Sequence, residues 1–127
     1  MTLDKNVPMG HSLAMQTVAE TRHYLSRAEK LLTPKECEKI VMTLAVNPLA
    51  GALIEGTGGL RKMRFARDGR GKSGGVRVVC YYHSADMPTV LLEVFGKNEK
   101  DNLTKAERNV LARVVAELKR GWRRKGQ

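Results

Sequence analysis

The period of the apolar positions changes halfway along the chain, and the change separates two kinds of element. Residues 15–21 alternate as a short strand does. Residues 22–32 then place Tyr24, Leu25, Ala28, Leu31 and Leu32 on one helical face. Thr33, Pro34 and Glu36 form a strong helix start: a capping hydroxyl, a proline at the first helical position and a glutamate to close a capping box. Cys37, Ile40, Val41, Leu44 and Ala45 follow at helical spacing, and Asn47-Pro48 stops the pattern. Residues 1–14 show no periodicity and read as a flexible extension, with Met15 as an alternative start.

Past the turn-forming Gly-Thr-Gly-Gly at 56–59 the period falls to two. Residues 60–67 read as a strand with Lys62 and Arg64 on one face and Met63 and Phe65 on the other. A glycine-rich hairpin loop at 68–75 leads into a strand at 76–83, where Arg77, Val79, Tyr81 and His83 share a face. A turn at 85–88 leads into a strand at 89–95, apolar on both faces except at Glu93. It therefore reads as central and covered on both sides. The short connections imply an antiparallel meander. Thr104 and Glu107 repeat the capping-box spacing, and Val110, Leu111, Val114, Val115 and Leu118 form the stripe of a last helix that Gly121 should end. The order is β-α-α-β-β-β-α. It predicts an α+β domain over 15–120, a small antiparallel sheet with two N-terminal helices and a C-terminal helix, then a basic tail at 121–127.

Charge changes this picture more than composition does. Residues 1–56 hold six basic and six acidic side chains, residues 57–127 hold seventeen and seven, and the net charge of +10 belongs wholly to the second part. Much of the excess sits on strands, which makes it a fixed footprint for a polyanion, most plausibly nucleic acid. A length of 127 residues suits one domain with a modest core. No apolar run reaches the roughly 18 residues of a membrane span, and the N-terminus lacks the pattern of a signal peptide. A cytoplasmic protein is expected. Cys37 and Cys80 each lie within an apolar pattern and read as small core residues, not a disulfide. The histidines and cysteines show no metal-ligand spacing, so neither metal nor cofactor is expected.

Lys62, Arg64 and, given the right register, Arg77 would gather three cations on one sheet face, an arrangement relieved by a phosphodiester. The loop at 69–75 contains Gly-Lys-Ser but has alanine at 66 where a P-loop needs glycine, and it leads into a strand instead of a helix. Its Arg70 and Lys72 are read as reaching toward RNA, with Arg61, Arg67, Tyr81 and Lys100 as further RNA contacts. The polar turn at 96–101 supplies Lys97 and Glu99 as further catalytic candidates.

Three segments together resemble the HigB branch of the RelE-like bacterial toxins. They are Gly-Thr-Gly-Gly-Leu-Arg-Lys-Met-Arg-Phe-Ala at 56–66, Gly-Lys-Ser-Gly-Gly-Val-Arg-Val-Val-Cys-Tyr-Tyr at 71–82 and Val-Phe-Gly-Lys-Asn-Glu-Lys at 94–100. The resemblance runs from about Met15 to Arg120. It implies the toxin of a type II toxin–antitoxin pair that enters the ribosome and cuts mRNA without a metal, by attack of the 2′-hydroxyl on the neighbouring phosphorus. It implies a HigA-like helix-turn-helix antitoxin as partner, with operator DNA reached through that antitoxin. The family's basic strand pair falls on Lys62 and Arg64 and its next-strand arginine on Arg77. Arg64 and Arg77 would stabilise phosphate, and Lys62 would orient the backbone or help a proton move. The arginine and tyrosine that complete the site in RelE proper fall on Asn98 and Thr104, so the general base stays open among Lys97, Glu99, His83 and Tyr81.

Two other readings stand beside this one: a gyrase-poisoning relative on the same scaffold, and a non-catalytic nucleic-acid-binding domain. One scaffold hosts several functions. Retention of the basic trio favours RNA cleavage.

Overall fold

A computed structural model describes residues 15–67 and 74–125. The elements run β1 (Val18–Glu20), α1 (Arg22–Leu31), α2 (Pro34–Val46), β2 (Ala52–Leu53), β3 (Leu60–Phe65), β4 (Val76–Tyr81), β5 (Thr89–Gly96) and α3 (Lys105–Lys125).

Local chemistry sets the helix starts. The Thr21 hydroxyl accepts the Tyr24 N–H at the head of α1. At α2 the Glu36 N–H donates to Thr33 Oγ1 at 3.1 Å, and the Thr33 N–H donates to the Glu36 carboxylate at 2.9 Å. Thr104 and Glu107 form the same reciprocal pair at the head of α3, at 3.1 and 2.8 Å. Each box satisfies N–H groups that the first helical turn leaves without partners.

The five strands form one sheet in the order β1-β5-β4-β3-β2. β3, β4 and β5 are the expected meander. β1, however, pairs parallel to β5, so the sheet is mixed and not wholly antiparallel. Between these two parallel strands the chain runs through α1 and α2 and then β2, β3 and β4, well beyond the crossover length that a parallel pair needs. β2 is a two-residue strand that the sequence pattern did not reveal. It holds to β3 by pairing alone, with both residues exposed.

Helices cover both faces. α1 and α2 pack Tyr24, Ala28, Ile40 and Leu44 against Val76, Val78, Cys80, Leu91 and Val94, with Met63 and Phe65 at the margin. On the other face α3 packs Leu111, Val114, Val115, Leu118 and Trp122 near Leu60, Val79, Tyr81, Leu92 and Phe95. Every residue of β4 is buried, as is every residue of β5 except Glu93. Both cysteines are free thiols. Burial pushes the Cys80 thiol up to about 11, with Arg61 pulling weakly the other way.

Two expectations about the last helix change. Val110 is half exposed and not in the core. Gly121 does not end the helix, which continues to Lys125, so the separate tail expected from 121 is helical in its described part. A glycine inside a helix costs about 1 kcal/mol relative to alanine. Trp122, packed against the core of this face, offsets that cost. The extension at 1–14 lies outside the described residues.

Candidate functional site

Strand register brings the basic residues together. Arg64 on β3 is the direct cross-strand partner of Arg77 on β4, Lys62 is the partner of Val79, and Arg77 pairs on its other side with Phe95 of β5. Directly opposed residues share a face, with Cβ atoms about 5 Å apart. Lys62, Arg64 and Arg77 therefore stand together on the face that α3 only partly covers.

Their surroundings differ. Arg64 is exposed, and no other described residue bonds its side chain. Arg77 is only 9% exposed, and its buried Nη1 has no hydrogen-bond partner among the described residues. Two guanidinium groups opposed across a strand pair repel each other, and a buried donor without an acceptor is costly. Both penalties fall away when an anion binds between them. Lys62 is half-buried, and its ammonium donates to Asn102 Oδ1 in the turn between β5 and α3.

Beside Lys62 lies a cleft of about 140 Å³ lined by Ile54, Lys62, Val79, Phe95, Asn102, Leu103 and Arg108. Arg108 donates one N–H to the Leu103 carbonyl at 3.1 Å. Arg108 is a residue that sequence reasoning missed. The signal was present, because Arg108 precedes Leu111 and Val115 on one helical row and so had to share their sheet-facing side. Asn102 carried no such signal; the fold alone places it. Lys100 borders this region. Its ammonium lies 5.0 Å from the centroid of the Phe95 ring and pairs with Glu107 at 2.5 Å. Lys97 is half-buried, and its backbone N–H donates to the Gly75 carbonyl at 3.0 Å.

Several expected contacts are used within the fold instead. Arg67 is 7% exposed, and its guanidinium donates to the carbonyls of Gly74 and Leu31, tying the end of α1 to the start of β4. Arg61 lies on the opposite face of β3 from Lys62 and donates to the carbonyls of Leu49 and Gly51. Arg67 is thus buried by its bonds, while Arg61 stays half-buried and spends one nitrogen on the two carbonyls, away from the arginine pair. Tyr81 does share the basic face, but α3 packs over that end of the sheet. Tyr81 is 2% exposed and cannot stack on a base. Its hydroxyl meets His83 Nδ1 at 3.0 Å. His83 is exposed, six residues past Arg77 and hence about 20 Å along the strand direction, which removes both from the arginine pair as proton carriers. Glu99 is a staple: it accepts the Gly96 N–H at 2.7 Å and the Arg27 guanidinium at 2.8 Å. The Gly96 hydrogen bond, and then Arg27, hold its carboxyl below the usual range, the opposite of what a general base at neutral pH needs. Arg70 and Lys72 lie outside the described residues. Among the described residues no group of three or more His, Cys, Asp or Glu side chains could hold a metal ion, and no helix is long and apolar enough to cross a membrane.

The geometry thus offers two opposed arginines, one exposed and one buried, a tethered lysine and a small cleft on one sheet face. Comparison with solved structures finds an E. coli toxin RelE in the free state, with two arginines mutated to alanine. It matches with a TM-score of 0.51 at 13% identity, over 68% of this chain and 88% of that one. At that identity the likeness speaks for the fold, a three-layer α+β arrangement. The family model described as the RelE toxin of the RelE/RelB toxin–antitoxin system matches residues 18–124. Its span takes in all eight elements, from the first strand to nearly the end of α3, and the chain belongs to the RelE toxin family.

Proposed function

We propose that this toxin cuts mRNA on the ribosome, in the manner expected from the resemblance to HigB. The observation that carries the reading is the buried Arg77 opposite Arg64, with one guanidinium nitrogen, Nη1, left without a partner among the described residues. Cleavage by the 2′-hydroxyl forms a bond from that oxygen to the adjacent phosphorus and breaks the bond to the 5′-oxygen. The hydroxyl proton leaves, and the departing oxygen takes up a proton. Negative charge gathers on the non-bridging oxygens, where the buried Arg77 and the exposed Arg64 guanidinium groups stabilise it. Lys62, restrained by Asn102, holds the neighbouring backbone for in-line attack. The basic half of the chain draws it to ribosomal and messenger RNA. The reading places the protein in the cytoplasm, silenced by a HigA-like helix-turn-helix antitoxin through which it reaches operator DNA.

The test is induction without the antitoxin, with mapping of mRNA 5′ ends. New 5′ ends within translated codons are expected, and they disappear when initiation is blocked. Growth arrest with intact mRNA and broken DNA would assign the protein to the gyrase-poisoning reading. Intact mRNA and intact DNA would leave a binding role.

A further inference from the structure

We infer that the cleft beside the arginine pair is a subsite for one nucleobase, a single ring with carbonyl acceptors on its edge, as in uracil. The inference rests on the mRNA-cleaving reading and names what the site holds next to the scissile phosphate.

Shape, lining and position agree on this ligand. The volume is about 140 Å³, close to the roughly 150 Å³ in which an engineered apolar cavity takes up benzene, so one six-membered ring fits. Ile54 supplies an apolar wall, over a base formed by the buried side chains of Val79, Phe95 and Leu103. The rim is polar and carries donors. Lysine has donors only, so Asn102 must turn its oxygen to Lys62, which leaves the Asn102 amide N–H groups facing elsewhere. Arg108 uses one N–H on the Leu103 carbonyl and keeps its others. Lys62, Asn102 and Arg108 therefore present N–H groups, which complement carbonyl oxygens on the base edge. Lys62 lies two residues from Arg64 on the same side of β3, about 6.8 Å along the strand. One nucleotide can then set its phosphate on the arginines and its base in the cleft. The larger apolar groove between α1, β5 and α3 fits RNA worse, because its charged lining residues include Glu93 and Glu107.

The test uses fluorescently labelled oligouridylate hexamers, 2′-O-methylated throughout so that the attacking hydroxyl is blocked, titrated with the full chain and read by anisotropy. A single abasic ribose is moved through the central positions. At one position it should weaken binding about tenfold, the loss typical of one base contact, and adenine there should do no better than the abasic sugar. In Arg108→Ala the parent should bind as weakly as the abasic oligomer, and the abasic penalty should fall below twofold. Arg77→Ala should weaken parent and abasic oligomers alike. Should Arg108→Ala fail to fold, Arg108→Gln replaces it, and the scan on the native chain decides by itself. The subsite is overturned if every abasic oligomer binds within twofold of the parent, if the penalty persists undiminished in the Arg108 variant, or if the parent does not bind at 1 mM. Codon-linked mRNA ends persisting in any of those cases would leave the endonuclease reading intact; their absence refutes that reading separately.

Discussion

Replacing Arg77 by methionine should make the protein more stable and less toxic at once. Arg77 is 9% exposed, its Nη1 lacks a partner among the described residues, and Arg64 stands opposite across the strand pair. Leaving a buried donor unsatisfied costs about 1–3 kcal/mol, and like charges directly opposed across strands add a few tenths to about 1 kcal/mol. Methionine keeps the length and apolar contacts of the arginine stem and removes both penalties. Allowing for imperfect repacking, a net gain of about 1–2 kcal/mol is expected, or roughly 4–8 °C in Tm for a domain of this size. The native chain should recover that deficit when a polyanion is added: a ligand at a hundred times its Kd stabilises by about 2.7 kcal/mol. Differential scanning fluorimetry in phosphate-free buffer, with and without 2′-O-methylated RNA, separates these effects. The native Tm should rise with RNA, and that of Arg77→Met should start higher and move less. Toxicity on induction should fall by about 10²–10³, the usual loss for one positioned charge-stabilising donor. A variant that is less stable than the native chain, or that gains as much from RNA, would refute the idea of an anion site held under strain.

Arg64→Met supplies the contrast: its side chain is exposed, so the unfolding free energy should stay within about 0.5 kcal/mol of native while toxicity falls with that of the Arg77 variant, as growth on induction would show. Ribosome binding, measured by co-sedimentation, should weaken steeply between roughly 50 and 200 mM salt because phosphate contacts release counterions; a flat response would contradict the basic face as the contact surface. Glu99 has a depressed folded-state pKa, so its staple contributes above the unfolded value of about 4.3 and is lost as pH falls through the lower folded value. The unfolding free energy of Glu99→Gln from urea titration should therefore lie below native at pH 7, by about 0.2–1 kcal/mol for a solvent-screened pair, and the gap should close as pH falls below the usual carboxylate range. Gly59→Ala should cost about 1–3 kcal/mol in chemical denaturation, because Gly59 has φ +125° and an added Cβ would sit 3.1 Å from the Tyr81 ring.

Local signals carried most of the fold. The capping boxes at Thr33 and Thr104 depend on residues three positions apart, and both formed as the spacing predicts. Alternation assigned Met63 and Phe65 to one face of β3 and Lys62 and Arg64 to the other, because the strand period is two wherever the pairing lies. The buried character of β5 was legible from an apolar run interrupted only by Glu93. Where local rules failed, a distant contact had intervened. Trp122 docks on the core and carries α3 through Gly121. The two residues of β2 have no pattern of their own and are a strand only because β3 lies alongside.

The site divides along the same line. The sequence by itself determined which side chains are cationic, that they alternate onto one strand face, and that the charge belongs to the second half of the chain. Only the tertiary structure decided which of them remain available. Register set Arg64 opposite Arg77, and α3 closed the Tyr81 end of the same face while Arg64 stayed exposed. Backbone carbonyls from Leu31, Leu49, Gly51 and Gly74 captured Arg67 and Arg61, and the turn after β5 brought Asn102 to Lys62 across 40 positions of sequence. A side chain's charge is a local property. Whether that charge finds a partner depends on which distant groups the fold brings within hydrogen-bond reach, and no periodicity in the chain records that.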